Sequence, residues 1–140
     1  MILPDVNILV YAHRADSPCH QKAAEAIKEI AESLAPFALC SLVCSGFLRI
    51  VTNHRIFAEP STLEQGISFL EALLGLENCR ILEPGDRHWK IFSTMLRHSK
   101  ATGNLITDAT LAAICVEHGL ELLTQDSDFR RFRELKTQGL

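Results

Sequence analysis

The sequence lacks the features of a membrane or exported protein. No apolar segment approaches the roughly 20 residues needed to cross a bilayer. The first residues carry no basic leader and place Asp5 inside the apolar stretch, so we expect neither a membrane span nor a signal peptide. The five cysteines form no Cys-x-x-Cys pair, and their odd number leaves one without a partner. We therefore expect reduced, buried cysteines and a cytoplasmic location.

Excess positive charge is also missing. The formal net charge of −3 and the pI of about 6.0 argue against a protein that holds nucleic acid by bulk charge. This charge is compatible with an enzyme that contacts nucleic acid briefly, through a metal and a local basic patch. Linkers, repeats and low-complexity tracts are absent as well, and 140 residues match the size of one domain. We therefore predict a single domain over residues 1–140.

Short apolar segments alternate with segments in which apolar residues recur every three or four positions, a pattern typical of strands separated by amphipathic helices. This alternation predicts an α/β fold, with a short parallel sheet of about four strands sandwiched between helices. The predicted strands cover residues 1–4, 36–40, 79–83 and 120–124. The predicted helices cover residues 8–12, 20–34, 42–51, 61–76, 86–99 and 104–118.

Several positions indicate where these helices begin and end, and which way they face. Asn7 is a candidate N-cap for the first helix. The spacing from Ser61 to Glu64 predicts a capping box. Gly119 is the expected C-cap of the helix at 104–118. Trp89 is expected to face the core from the helix at 86–99.

Four aspartates interrupt apolar surroundings at the ends of these elements: Asp5, Asp108, Asp126 and Asp128. Asp5 follows the first strand and Asp126 follows the fourth, and sites in open α/β sheets form beyond the carboxyl ends of strands. Asp108 falls in the first turn of a helix, where the positive end of the dipole tolerates a carboxylate. One aspartate alone is more simply a cap or turn former, but together we expect the four to form one acidic pocket.

Converging carboxylates repel one another, and at least one pKa rises unless a cation lies between them. Oxygen ligands of this kind suit Mg²⁺ or Mn²⁺. A bound cation can lower the pKa of a water and neutralise charge developing on a phosphodiester. The pattern therefore favours metal-assisted phosphodiester hydrolysis. No two of the six histidines are three or four residues apart, so a helical histidine metal site is not supported.

Blocks along almost the whole chain carry a family resemblance: LPDVNILVYA at 3–12, GFLRIVTN at 46–53, LEPG at 82–85, GNLITDATLAA at 103–113, EHG at 117–119 and TQDSDFRRF at 124–132. In these blocks the sequence resembles the PIN-domain ribonucleases, specifically the VapC-like toxins of prokaryotic toxin–antitoxin pairs. The resemblance implies a compact α/β/α sandwich, Mg²⁺ or Mn²⁺ dependence and endonucleolytic cleavage of RNA. It also implies inhibition by a small VapB-like antitoxin encoded beside the toxin, and it favours a homodimer.

The resemblance also implies roles for individual residues. Catalysis and metal binding fall to Asp5, Asp108 and Asp126, with Asp128 as a supporting metal ligand. Asn7 and Thr124 match polar positions that border the family's site.

One departure from the family concerns the segment Phe47-Leu48-Arg49. Many members carry a glutamate just before it, where this chain has Gly46, and no acid lies between Glu32 and Glu59. Three explanations stay open: the aspartates suffice, another acid substitutes, or activity is weak.

The basic residues nominated to contact RNA phosphates are Arg49, Arg55 and Arg130, with His54, Arg131 and Arg133 beside them. Phosphate contacts position a substrate without reading its sequence. The alternative for the cluster at 130–133 is a solvated face or a docking surface for the antitoxin.

Two other functions compete with the endoribonuclease. The first is a PIN-like module that binds RNA or protein with lost or weak nuclease activity, which Gly46 keeps open. The second is a phosphotransferase or receiver-like domain. Against the second function, the segment Asp5-Val6-Asn7 lacks the second aspartate that an Asp-x-Asp phosphatase needs.

Overall fold

The computed structural model describes all 140 residues and contains one five-stranded sheet. All neighbouring strands are parallel, in the order β3-β2-β1-β4-β5. The strands are β1 (Ile2–Pro4), β2 (Phe37–Leu39), β3 (Cys79–Ile81), β4 (Glu121–Leu123) and β5 (Lys136–Gln138). The predicted α/β class is confirmed, with one strand more than expected. The fifth strand has the polar sequence Lys-Thr-Gln, and all three residues are exposed at the sheet edge. The sequence therefore has no apolar run there from which a strand could be predicted.

Six α-helices connect and cover the strands. They are α1 (Val6–His13), α2 (His20–Glu32), α3 (Ser41–Val51), α4 (Leu63–Leu74), α5 (His88–Ser99) and α6 (Leu105–His118), and a 3₁₀ helix follows at Ser127–Arg131. Helix α1 packs against α2 and α3, α3 packs against α4, and α5 packs against α6. No helix combines the length and apolarity needed to cross a membrane.

The core lies around the three central strands. Leu3, Phe37, Leu39 and Leu122 are buried in one cluster of 27 residues that also includes six residues of α6. Burial on both faces explains why β1, β2 and β4 read as short apolar runs in the sequence. Since β1 is the middle strand and β4 is its neighbour, the residues that follow them share the centre of one sheet edge.

Two predicted helix caps are wrong and one is confirmed. Helix α1 begins earlier than expected, and its N-cap is Asp5, whose Oδ1 accepts from the backbone N–H of Val6 at 2.6 Å. The capping box of α4 forms between Thr62 and Gln65, one residue later than the predicted pair. Gly119 ends α6 with a φ of 66°, the left-handed conformation that favours glycine.

The prediction that Trp89 faces the core is also wrong, because 71% of its surface is exposed. The buried residue of α5 is Met95, six positions further along. Six residues of an α-helix turn through about 600°, which places Trp89 about 240° around the axis from Met95.

Candidate active site

A cleft of about 480 Å³ opens between α3 and the N-terminal half of α6. Its floor is formed at the carboxyl ends of the central strands, where parallel α/β sheets commonly place their sites. The polar and charged side chains lining it are Asp5, Asn7, Ser45, Arg49, Asn104, Thr107, Asp108 and Asp126.

Asp5 lies at the bottom of this cleft and is held by three hydrogen bonds. Its backbone N–H donates to the carbonyl of Leu123 at 2.9 Å, which joins the end of β1 to β4. Its Oδ1 caps α1 through Val6. Its Oδ2 accepts from the hydroxyl of Thr124 at 2.8 Å, and only 5% of the residue is exposed. Both carboxylate oxygens are therefore fixed in direction.

Thr124 connects two of the aspartates through one hydroxyl group. Its Oγ1 donates to Asp5 and accepts from the backbone N–H of Asp126 at 3.0 Å. Thr124, predicted to border the site, therefore sets the positions of Asp5 and Asp126 relative to each other through its hydroxyl.

The electrostatics of Asp5 are unfavourable in the protein alone. Burial raises the pKa of Asp5 to about 6, against the hydrogen bonds from Thr124 and Val6, which lower it. The charges of Asp126 and Asp108 raise the pKa further. The hydrogen bonds therefore favour the ionised form of the Asp5 carboxylate, whereas burial and the neighbouring carboxylates disfavour it.

A tighter acidic group lies beside Asp5. One carboxylate oxygen from each of Asp108, Asp126 and Asp128 falls within 4.8 Å of the others. Asp126 begins the 3₁₀ helix, and its Oδ1 accepts from the backbone N–H of Asp128 at 2.8 Å. Asp108 comes from the first turn of α6. The structure brings three of the four predicted aspartates into ligand spacing and places Asp5 in the same cleft, outside that close group.

The donor set fits a hard divalent cation. Its ligands are carboxylate oxygens, which Mg²⁺ and Mn²⁺ prefer. The pKa of Asp108 is raised by burial and by the charges of Asp126 and Asp128, while Arg131 lowers it. A cation among these groups would relieve both the burial of charge and the repulsion between the carboxylates.

Gly46 lines the cleft, and its position explains why no acid stands there. A Cβ at residue 46 would lie 2.9 Å from Cγ2 of Val6, inside the contact of α3 with α1. Any side chain at this position would require Val6 or the backbone around it to shift. The polar side chains that α3 brings to the cleft are Ser45 and Arg49, four residues apart on one helix face.

The three nominated arginines do not share one location. Arg49 lines the cleft, whereas Arg55 and Arg130 do not. Arg131 contacts the acidic group through Asp128. Ser45, Asn104 and Thr107 also line the cleft and were not predicted from the sequence. The spacing of four between Ser45 and Arg49, and the place of Thr107 next to Asp108, were signals that could have identified two of them.

Comparison with known proteins gives a consistent result. The PIN domain family matches residues 2–135. The VapC ribonuclease Mb2897 of Mycobacterium bovis is 40% identical over 136 residues, covering 97% of this chain and 92% of that protein. Ribonuclease VapC25 of Mycobacterium tuberculosis is 37% identical, covering 97% of this chain and 96% of that protein.

Solved structures show the same fold at lower identity. VapBC2 from Rickettsia felis, bound to a DNA fragment from its promoter, superposes with a TM-score of 0.71 at 19% identity and covers 99% of this chain and 98% of that chain. VapC20 from Mycobacterium tuberculosis, described as a toxin that cleaves the sarcin-ricin loop, gives a TM-score of 0.67 at 16% identity, with 97% and 99% covered.

Proposed function

The chain belongs to the PIN domain family, and from that premise we propose that it is a metal-dependent endoribonuclease, the toxin of a toxin–antitoxin pair. The observation that carries the proposal is the close group of Asp108, Asp126 and Asp128, of which Asp108 and Asp126 share one cleft with Asp5. Relatives named as VapC ribonucleases support it, since the match extends over nearly the whole length of both chains. Residues 1–140 form the single domain of this enzyme.

The four aspartates would hold Mg²⁺ or Mn²⁺, with Asp5, Asp108 and Asp126 as the catalytic carboxylates and Asp128 as a supporting ligand. When bound, the ion supplies a water of lowered pKa and neutralises charge on a phosphodiester. Thr124 fixes the direction of the Asp5 carboxylate and the start of the 3₁₀ helix that carries Asp128.

Substrate binding falls to the polar residues of the cleft walls. Arg49 is exposed on α3 and lines the cleft opposite Asp108, so its planar guanidinium can take a phosphate oxygen of the RNA. Asn7, on α1, lines the same cleft as Asp5. These contacts position the chain of the RNA and do not read its sequence. Arg55 and Arg130 stand outside this cleft, so any phosphate they contact lies further along the RNA.

The proposal includes a protein partner. Several solved structures that share this fold are VapBC complexes, which contain a toxin and an antitoxin. We infer that this chain is likewise inhibited by a VapB-like antitoxin, that it forms a homodimer and that it acts in the cytoplasm.

One observation favours a second function, a PIN-like module that binds RNA or protein with lost or weak nuclease activity. Gly46 stands where the family resemblance implies a glutamate, and a side chain there would meet Val6 unless Val6 or the backbone shifted. Metal-independent RNA binding without cleavage would favour this module.

Cleavage of purified total RNA tests the two functions. We expect discrete fragments with Mg²⁺ or Mn²⁺, none with EDTA, and a loss of at least about a hundredfold in Asp108→Asn, because a charged ligand is removed. Asp86→Asn is the matched control, since Asp86 is an exposed residue of the turn before α5 and lies outside the cleft. Equal cleavage by wild type and Asp108→Asn would reject the assigned site.

A further inference from the structure

Arg131 is the basic side chain that contacts the acidic group. It is the last residue of the 3₁₀ helix Ser127–Arg131. Its Nε donates to the backbone carbonyl of Asp128 at 3.2 Å, and its Nη2 lies 3.9 Å from Oδ1 of the same residue. The guanidinium therefore lies against the carboxylate of Asp128, one of the three clustered carboxylates.

The two contacts of Arg131 differ in strength. The bond from Nε to the Asp128 carbonyl involves only backbone on the acceptor side, so it does not depend on where the Asp128 carboxylate points. The contact of Nη2 with that carboxylate is long and solvent-exposed, and such ion pairs contribute little. The carboxylate can therefore leave the guanidinium while the arginine stays anchored.

We propose that Arg131 is an internal counter-ion of the acidic group, which exchanges the Asp128 carboxylate for an RNA phosphate when a divalent cation binds. In the protein alone, the guanidinium partly offsets the repulsion among Asp108, Asp126 and Asp128. A cation takes over that task and draws the Asp128 carboxylate to itself. The guanidinium is then left with free N–H donors beside the group, in the planar arrangement that suits a phosphate.

The inference rests on the proposed function and adds two properties to it. The first is that Arg131 weakens cation binding in the absence of RNA, because two positive charges compete for the same carboxylates. The second is that cation and nucleic acid bind cooperatively, because each favours the state in which Arg131 has left Asp128. Arg131 is on this account a positioning and phosphate-binding residue.

The first property is tested with Mn²⁺ alone, by counting free ions with electron paramagnetic resonance. Arg131→Gln should bind Mn²⁺ about three- to tenfold more tightly than wild type. Arg130→Gln is the matched control, since it removes the same charge from the neighbouring exposed residue that makes no such contact. Arg131→Lys keeps the charge and should stay within about twofold of wild type.

The second property is tested with a single-stranded oligodeoxynucleotide, which supplies phosphates and lacks the 2′-hydroxyl of RNA. Fluorescence anisotropy should show that Mn²⁺ increases its affinity for wild type and for Arg97→Gln, which removes an exposed arginine of α5 outside the cleft. The increase should be smaller for Arg131→Gln.

The outcomes separate this inference from the function beneath it. Equal Mn²⁺ affinity in wild type, Arg131→Gln and Arg130→Gln, with binding lost in Asp108→Asn, would overturn the inference and leave the metal site intact. An equal gain in both arginine variants would also overturn it, because bulk charge would explain the effect. No Mn²⁺ binding in wild type would overturn the metal site itself.

Discussion

Asp5 and Glu117 are both buried carboxylates, with 5% and 8% of their surfaces exposed. Their surroundings nevertheless shift the two pKa values in opposite directions. Glu117 accepts from the backbone N–H groups of Gly85 at 2.9 Å and Arg87 at 3.1 Å. The Gly85 bond is the main reason that the pKa of Glu117 is lowered, with the Arg87 bond and the nearby His118 and His88 adding to it. Burial raises the pKa of Asp5 to about 6, and neighbouring aspartates add to the rise.

The difference lies in what meets each carboxylate. Glu117 needs no partner from outside the protein, because both of its carboxylate oxygens accept from backbone N–H groups of the turn between β3 and α5. The turn fits it closely, since a Cβ on Gly85 would lie 2.7 Å from Oε1 of Glu117. Asp5 also has two donors, but two aspartates face it across the cleft. A carboxylate in a cleft whose pKa is raised by burial and like charge is a candidate for function, whereas Glu117, satisfied by backbone N–H groups, holds the structure together.

The largest expected effect is a difference in RNA cleavage between variants of Asp5 and Glu117. Asp5→Asn should lower RNA cleavage by at least about a hundredfold and leave folding intact, because the amide oxygen can still accept from Val6 while a charged ligand is lost. Glu117→Gln should keep the activity of its folded fraction. Cleavage rates normalised to the folded fraction by circular dichroism measure both. Loss of activity in a folded Glu117→Gln variant would show that the distinction between the two carboxylates is wrong.

The next effect separates them by stability. Glu117→Gln should lower the free energy of unfolding by about 1 kcal/mol, since one amide oxygen cannot satisfy two partly buried N–H donors as an ionised carboxylate does. Urea denaturation followed by circular dichroism measures this loss. Gly85→Ala should also destabilise, and its effect should shrink in a Glu117→Ala background, because truncation removes the carboxylate that the added methyl group meets. Fully additive effects would contradict the contact.

The smallest effect concerns pH. Because the pKa of Asp5 is higher in the folded protein than its ordinary 3.8, the folded state keeps a proton that the unfolded chain loses between about pH 4 and pH 6. Stability without metal should therefore fall by about 1 kcal/mol as the pH rises from about 5 to about 7. Glu117 has the opposite sign, and its contribution is lost only as the pH falls below its ordinary value of 4.5.

Urea denaturation in EDTA across this pH range measures the Asp5 contribution. Asp5→Asn should remove most of the decline, and saturating Mg²⁺ should remove it in wild type, because the cation replaces the proton as the partner of the carboxylate. A decline that is the same in wild type and Asp5→Asn would assign it to other groups.

Local sequence was a good guide wherever hydrophobicity or backbone conformation decided the structure. The four apolar strands appear within one or two residues of their predicted positions, and Gly119 ends α6 as expected. The prediction failed where contacts distant in sequence decided. Ser61 was expected to cap α4, but its hydroxyl is held by His13 and Arg14 from the end of α1, and Thr62 became the cap.

The acidic site shows the same division. Asp5, Asp108 and Asp126 were identified because they end strands or begin a helix, and the order of the strands brings them to one edge. Nothing in the local sequence distinguished Arg131, which contacts Asp128, from Arg130, which contacts none of the aspartates. The turn of the 3₁₀ helix sets that difference.

The sequence by itself determined the α/β class, the positions of the apolar strands and the aspartates that end them, because these follow from periodicity and from where parallel strands terminate. Only the tertiary structure decided that Asp5 is buried among like charges while Glu117 is satisfied. It also decided that Gly46 packs on Val6 and that Arg131 stands against the acidic group. The reason is physical: the pKa of a carboxylate and the space around a glycine depend on atoms that are far away along the chain and close together in the fold.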